Sequence, residues 1–151
     1  VVDARYNHGL PANLSAATGP RAAINHGLKA LQISVSAWTA EALKQTMPAS
    51  VFSRSTECHN QDKVSMGTIA ARDALRSLEL TEQVAAATLL AANQGVWLRL
   101  RDGKRDLPAP LASMHDQLAT DFPPLIEDRG LEGELRLCLE RIRAQAWRLY
   151  A

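Results

Sequence analysis

One short segment of this chain gathers side chains that could do chemistry: the run Ser-Thr-Glu-Cys-His-Asn-Gln-Asp at residues 55–62. It lies between two apolar stretches that we expect to be helical and buried. Asp62 stands where the N-cap of the second helix is predicted. Because the free backbone N–H groups at a helix start attract anions, a carboxylate-bearing ligand would bind well there. A polar connection that simply faces water is the alternative interpretation.

The rest of the sequence offers no second candidate site. The four histidines show no metal-ligand spacing with cysteines or carboxylates, so we expect no metal. No phosphate-binding glycine loop, nucleophile elbow or dinucleotide fingerprint is present. The formal net charge is +1, and no apolar run is long enough to span a membrane. We therefore expect neither nucleic acid nor a membrane as partner.

The elements that must position the segment are predicted to be helices. Apolar residues recur at spacings of three and four, which predicts helices at 25–47, 63–78, 81–100, 110–120 and 131–149. Thr81 could cap the third of these, although the second and third could also form one long helix. Residues 1–24 carry too many turn residues for a long helix, and no segment alternates as a strand. The fold class is therefore all-α, a bundle of long helices.

The helix at 25–47 has two apolar stripes, one through Leu31 and one through Ile33 and Met47. A helix that is apolar on two sides is buried among other helices. Cys58 and Cys138 lie far apart in dissimilar contexts, so we interpret both as free thiols in a reducing, cytoplasmic compartment.

The run Ser-Thr-Glu-Cys-His-Asn-Gln-Asp-Lys-Val-Ser-Met-Gly at 55–67 resembles a C-terminal motif of the histidine, phenylalanine and tyrosine ammonia-lyases and the related aminomutases. It joins the His-Asn-Gln-Asp of the phenylalanine enzymes to the Val-Ser-Met-Gly of the histidine enzymes. Other elements of that family are matched in the same order: Gly9-Leu10-Pro11-Ala12, Asn25-His26-Gly27 with Gln32, Pro48-Ala49-Ser50-Val51, Phe122-Pro123-Pro124-Leu125 and Asp128-Arg129. The resemblance covers nearly the whole chain.

The resemblance implies that residues 1–151 are the C-terminal helical portion of an ammonia-lyase or aminomutase subunit. The absence of an initiator Met before Val1 also favours a fragment of a longer protein. The family's electrophile, a methylidene-imidazolone group, forms from an Ala-Ser-Gly tripeptide that does not occur in this sequence. We therefore expect no cofactor on this chain, no activity from it alone, and the electrophile on an N-terminal part of the subunit.

The resemblance also implies a homotetramer with active sites shared among subunits. The helix at 25–47 and the run 63–100 are the segments expected to bury such contacts. An isolated chain would expose these apolar surfaces and should associate.

Within the motif, the resemblance places Gln61 and Glu57 at catalytic positions. Gln61 matches the residue that faces the substrate, where its amide would orient the ligand or the electrophile. Glu57 matches a carboxylate near the substrate amino group, which must lose a proton before it attacks an electrophile. Asn60 and His59 are expected to bind substrate or to support the other two. The alternatives are that Gln61 only caps a helix start and that Glu57 is a surface carboxylate.

The function implied is elimination of ammonia from an aromatic amino acid to give an arylacrylate, or its re-addition at the β-carbon. Gln rather than Glu at position 61 counts against histidine as substrate, because an imidazole benefits from a charged acceptor and a phenyl ring does not. Phenylalanine or tyrosine is therefore expected. A histidine ammonia-lyase is the first alternative, and a non-catalytic helical scaffold with the same fold is the second.

Overall fold

The computed structural model describes residues 3, 5–101, 103 and 106–147, and within them the chain is helical. Its four α-helices are α1 (Lys29–Lys44), α2 (Gly67–Arg101), α3 (Ala109–Asp121) and α4 (Glu132–Arg143). Three short 3-10 helices, at Ala12–Leu14, Gly19–Ala23 and Ala49–Phe52, interrupt the connections. No strand occurs in the described ranges beyond one isolated pairing of two residues. The predicted all-α class is confirmed.

Helix α2 is the spine of the fold, and α1, α3 and α4 all pack against it. It runs without a break where two helices, 63–78 and 81–100, were the first prediction, so the alternative of one long helix is correct. Thr81 does not cap a helix, because its hydroxyl donates to the Ser77 carbonyl oxygen one turn back, at 2.8 Å. The small side chains of Ala86 and Ala87 are fully buried, which allows the neighbouring elements to approach the spine closely.

Two apolar clusters meet along α2. The first joins α2 to α1 and to the loops before α1 and after α3, with Leu14, Leu28, Leu31, Ala87, Leu98 and Leu125 at its centre. The second joins α2 to α3 and α4 through Ala86, Leu90, Leu118, Phe122 and Cys138. Burial raises the pKa of the Cys138 thiol to about 11, so this thiol stays protonated and serves as a packing residue. Cys58 is exposed, and both cysteines are free thiols, as predicted.

Helix α1 begins at Lys29 and not at residue 25, because a distant carboxylate holds the preceding turn. Asp128 accepts hydrogen bonds from the backbone N–H of His26 at 2.7 Å and of Gly27 at 2.8 Å. Its own N–H donates to Asn25 Oδ1 at 2.6 Å. The His26 N–H, followed by the Gly27 N–H, holds the pKa of the Asp128 carboxyl below its usual value. Two of the matched family elements, Asn25-His26-Gly27 and Asp128-Arg129, are therefore hydrogen-bonded to each other here.

The last helix ends at Arg143, well before the predicted residue 149. The Gln145 N–H donates to the Ile142 carbonyl oxygen and the Ala146 N–H donates to that of Arg141, both at 3.0 Å. With Gln145 at φ 51°, this is a left-handed helix stop, of the kind that glycine usually forms. Residues 148 and 149 of the predicted helix lie outside the described residues.

Several large apolar side chains on α1 and α2 face solvent in the single chain. On α1, Ile33 is 57% exposed and Met47, just beyond its end, is 59% exposed. On the first half of α2, Leu75 is 63% exposed and Leu78 is 55% exposed. On α1 only the Leu31 stripe packs against α2. The second stripe, through Ile33 and Met47, is exposed, which agrees with the expectation that an isolated chain exposes this surface.

Candidate functional site

Residues 55–62 form an exposed hairpin and do not open a helix. Thr56 and Gln61 exchange two backbone hydrogen bonds, with N···O distances of 3.0 Å and 3.2 Å. Helix α2 begins only at Gly67, whose N–H donates to Ser65 Oγ at 3.3 Å. The prediction that Asp62 is an N-cap is therefore wrong, and so is the expected anion site at a helix start. Gln61 likewise cannot be a helix-start residue.

The base of the hairpin is closed by one serine. Ser53 Oγ donates to the Val64 carbonyl oxygen at 3.1 Å and accepts from the Val64 N–H at 2.9 Å. The Ser53 side chain thus replaces a backbone pairing between the chain before the hairpin and the chain after it. This contact keeps Val64 in the loop, which accounts for the late start of α2.

The tip of the hairpin has an unusual backbone. Glu57, Cys58 and His59 have φ values of 51°, 54° and 69°, so three consecutive non-glycine residues are left-handed. The Asn60 N–H donates to the Glu57 carbonyl oxygen at 3.0 Å and closes the turn. Each left-handed residue of this kind costs roughly 1–2 kcal/mol. Such strain persists only where the surroundings impose it, and it is concentrated at functional sites.

Side-chain hydrogen bonds fix two of the candidate residues on this tip. His59 Nδ1 lies 2.7 Å from Ser55 Oγ. The Thr56 hydroxyl donates to Gln61 Oε1 at 3.1 Å. The structure therefore brings Glu57, His59, Asn60 and Gln61 together on one turn, and all four are exposed.

The tip is open to solvent, contrary to the expectation that buried residues flank it closely. Val51 and Phe52, just before the hairpin, are 60% and 50% exposed. A cavity of about 230 Å³ lies elsewhere, between α1, α2 and α4, and Trp38, Ala86 and Leu135 are among its lining residues. The hairpin thus carries a carboxylate, an imidazole and two amides on one exposed turn, and further walls are needed to enclose a ligand.

Among the described residues, no three His, Cys, Asp or Glu side chains lie close enough together to hold a metal ion. In the same part of the chain, no helix has the length and apolar character needed to cross a membrane.

Two residues that matter were not identified from the sequence as site or structural residues. Thr56 stands inside the motif, but its partner across the hairpin is visible only once the turn is known. Gln94, in the middle of α2, is almost fully buried and binds two loops. A polar residue at an otherwise apolar helix position, followed by a glycine, was the available signal.

The chain is similar to known enzymes over most of its length. A histidine ammonia-lyase from Caenorhabditis elegans is 36% identical over 137 residues, covering 89% of this chain and 19% of that protein. A tyrosine ammonia-lyase from Cereibacter sphaeroides is 36% identical over 135 residues, covering 89% of this chain and 25% of that protein. The chain thus spans about a fifth to a quarter of the length of these relatives.

The fold has a close counterpart among solved structures. The crystal structure of tyrosine aminomutase from Streptomyces globisporus superposes with a TM-score of 0.80 at 28% identity, over 97% of this chain and 28% of that one. The arrangement of helices around α2 is therefore part of the ammonia-lyase and aminomutase fold. Residues 1–120 match the aromatic amino acid lyase family, and the chain belongs to it.

Proposed function

We propose that this chain is the C-terminal part of an aromatic amino acid ammonia-lyase or aminomutase and that its hairpin forms one wall of the active site. The observation that carries the proposal is the Thr56–Gln61 backbone pairing, which holds Glu57 and Gln61 on one strained, exposed turn. A turn that only connects two helices gains nothing from three left-handed non-glycine residues.

Each polar residue of the tip has a role in this chemistry. The Glu57 carboxylate accepts a proton from the substrate ammonium group, because only the free amine can attack an electrophile. Gln61 carries no charge in its side chain, so it orients a reacting group by hydrogen bonding and transfers no proton. Asn60 and His59 support these two, with His59 held by Ser55.

The electrophile that this family uses is a methylidene-imidazolone group, which we expect on another part of the subunit. When bound, it takes up the substrate amino group. The exposed tip fits such a group, because it presents a carboxylate and an amide, one able to take a proton and the other able to hydrogen-bond a carbonyl oxygen. This chain's own contribution is to receive the ammonium proton at Glu57 and to hold Gln61 in a fixed position.

The substrate is proposed to be phenylalanine or tyrosine. The histidine and tyrosine lyases named above are equally similar to this chain, so overall identity does not choose between them. The neutral amide of Gln61 suits an aryl ring better than an imidazole, which gains from a charged acceptor. Histidine is the alternative substrate, and a non-catalytic scaffold is the alternative role; product formation distinguishes all three.

We further propose that the exposed apolar faces of α1 and the first half of α2 are covered by the rest of the subunit and by other copies in a homotetramer. Ile33, Leu43, Leu75 and Leu78 are each more than half exposed. Apolar surface is costly in water at roughly 25 cal/mol per Å². Closely spaced side chains of this kind on two packed helices mark an interface. The cytoplasm suits such a protein, since both of its thiols are free.

Replacing Gln61 with glutamate in the complete subunit tests the site assignment. We expect kcat/KM for phenylalanine to fall at least about tenfold, or about 1.4 kcal/mol, because a carboxylate near an apolar ring is costly in a closed site. Histidine should lose less, or gain. The glutamate can still accept the Thr56 hydroxyl, so the hairpin and the melting temperature should barely change.

The matched control is Gln117→Glu, which makes the same charge change at an exposed position on α3. It should leave the kinetics of both substrates unchanged. Equal kinetics for wild type and Gln61→Glu, together with a large drop in melting temperature, would make Gln61 a structural residue of the hairpin.

A further inference from the structure

A hydrogen bond from Thr56 sets the orientation of the Gln61 side-chain amide. Thr56 and Gln61 are the paired residues of an antiparallel bridge, so their side chains lie on the same face. Across that bridge the Thr56 hydroxyl donates to Gln61 Oε1 at 3.1 Å. The two backbone hydrogen bonds of the pair, at 3.0 Å and 3.2 Å, keep the side chains in register.

This hydrogen bond decides which end of the amide is available to a ligand. A glutamine side chain carries one acceptor oxygen and an NH2 group with two donors. Because the oxygen is turned toward Thr56, the NH2 group is turned away from it and is the end best placed for a further partner. The neighbouring Glu57, when ionised, can only accept. The tip therefore presents one donor and one acceptor that are not interchangeable.

We propose that Thr56 is a positioning residue that fixes Gln61 as a hydrogen-bond donor toward an oxygen acceptor in the active site. The inference rests on the proposed function, in which the hairpin faces a bound amino acid. It goes further by assigning a separate interaction to each residue. The Glu57 carboxylate accepts a proton from the substrate ammonium group, and the Gln61 NH2 group donates a hydrogen bond to an oxygen atom. That oxygen belongs to the substrate carboxylate or to another group of the closed site.

The experiment compares Thr56→Val with Thr56→Ser in the complete subunit. Valine has the shape of threonine without the hydroxyl, and serine keeps the hydroxyl. We expect Thr56→Val to lower kcat/KM about tenfold and Thr56→Ser to stay within about twofold of wild type, because only the former frees the amide to rotate. Thr56 is exposed, so the melting temperatures of both variants should match wild type.

A double-mutant cycle identifies the residue through which Thr56 acts. In a Gln61→Met background there is no amide to orient, so adding Thr56→Val should cause no further loss. A general weakening of the hairpin would instead add to the loss in both backgrounds. Independent losses from the two substitutions would thus overturn the proposal.

Binding of an arylacrylate, which has a carboxylate and no amino group, locates the oxygen acceptor. If Gln61 serves the carboxylate, Thr56→Val should raise the arylacrylate Kd several-fold; if it serves another oxygen, Kd stays constant and kcat alone falls. Unchanged Kd and kcat in Thr56→Val, with Gln61→Met impaired, would overturn the inference and leave the proposed function standing. A folded wild-type subunit with no activity would overturn both.

Discussion

Replacing Gly27 with alanine should lower the free energy of unfolding by about 3 kcal/mol or more. Gly27 has φ +55°, which costs an alanine roughly 1–2 kcal/mol. In addition, a Cβ at this position would lie 2.7 Å from the Asn13 carbonyl oxygen and 2.9 Å from Ser15 Cα. These are backbone atoms, and the same Asn13 oxygen accepts the Leu28 N–H at 2.8 Å, so they cannot move away without breaking the start of α1.

Two other glycines separate the causes in the same unfolding measurement. Gly19 has φ +59° with open space around it, so Gly19→Ala should lose only the conformational part. Gly133 lies in α4 with open space and no positive φ, so Gly133→Ala should be neutral or slightly stabilising. A Gly27→Ala loss no larger than that of Gly19→Ala would mean that the contact with Asn13 relaxes at no cost.

Replacing Gln94 with leucine should cost about 3–5 kcal/mol of stability. Its Nε2 donates to the carbonyl oxygens of Leu14 and Leu125, and its Oε1 accepts the Leu125 N–H, each at 3.0 Å. One side chain on α2 thus satisfies three backbone groups on two loops. Leucine has a similar volume but leaves all three without partners in a buried place, at about 1–3 kcal/mol for each.

Chemical denaturation of Gln94→Leu beside Gln117→Leu provides the comparison. Gln117 is exposed on α3, where its Nε2 donates to Ser113 Oγ at 3.4 Å, so its replacement should change stability by less than about 0.5 kcal/mol. Gln94→Glu should also be strongly destabilised, because a carboxylate cannot donate to two carbonyl oxygens. If Gln94→Leu lost less than about 1 kcal/mol of stability, water would have to replace the amide between α2 and the backbone groups of Leu14 and Leu125.

The periodicity of apolar residues was enough to predict most of the helices. It predicted α3 within a residue at each end and allowed the single long α2. It could not predict where α1 begins, because Asp128, about a hundred residues later, sets that boundary through His26 and Gly27. It overran the end of α4 because the left-handed stop residue there is Gln145, where the expected signal is glycine.

The sequence singled out the residues of the candidate hairpin but did not predict its shape. The motif drew attention to Glu57, His59, Asn60 and Gln61, and the structure places all four on one turn. Left-handed conformations at three consecutive non-glycine residues leave no signal in a sequence, so a helix start was predicted in place of a hairpin. The Ser53–Val64 contact, which delays the helix, links residues eleven apart and likewise has no local pattern.

The most direct test of the proposed chemistry is to measure ammonia and arylacrylate together after the complete subunit is incubated with phenylalanine, tyrosine or histidine. We predict equimolar ammonia and arylacrylate from phenylalanine or tyrosine, or the β-amino acid in their place if the arylacrylate is retained, with a lower kcat/KM for histidine. A folded subunit that forms neither arylacrylate nor β-amino acid from any of the three would contradict the proposal. A clear preference for histidine would contradict the substrate assignment based on Gln61.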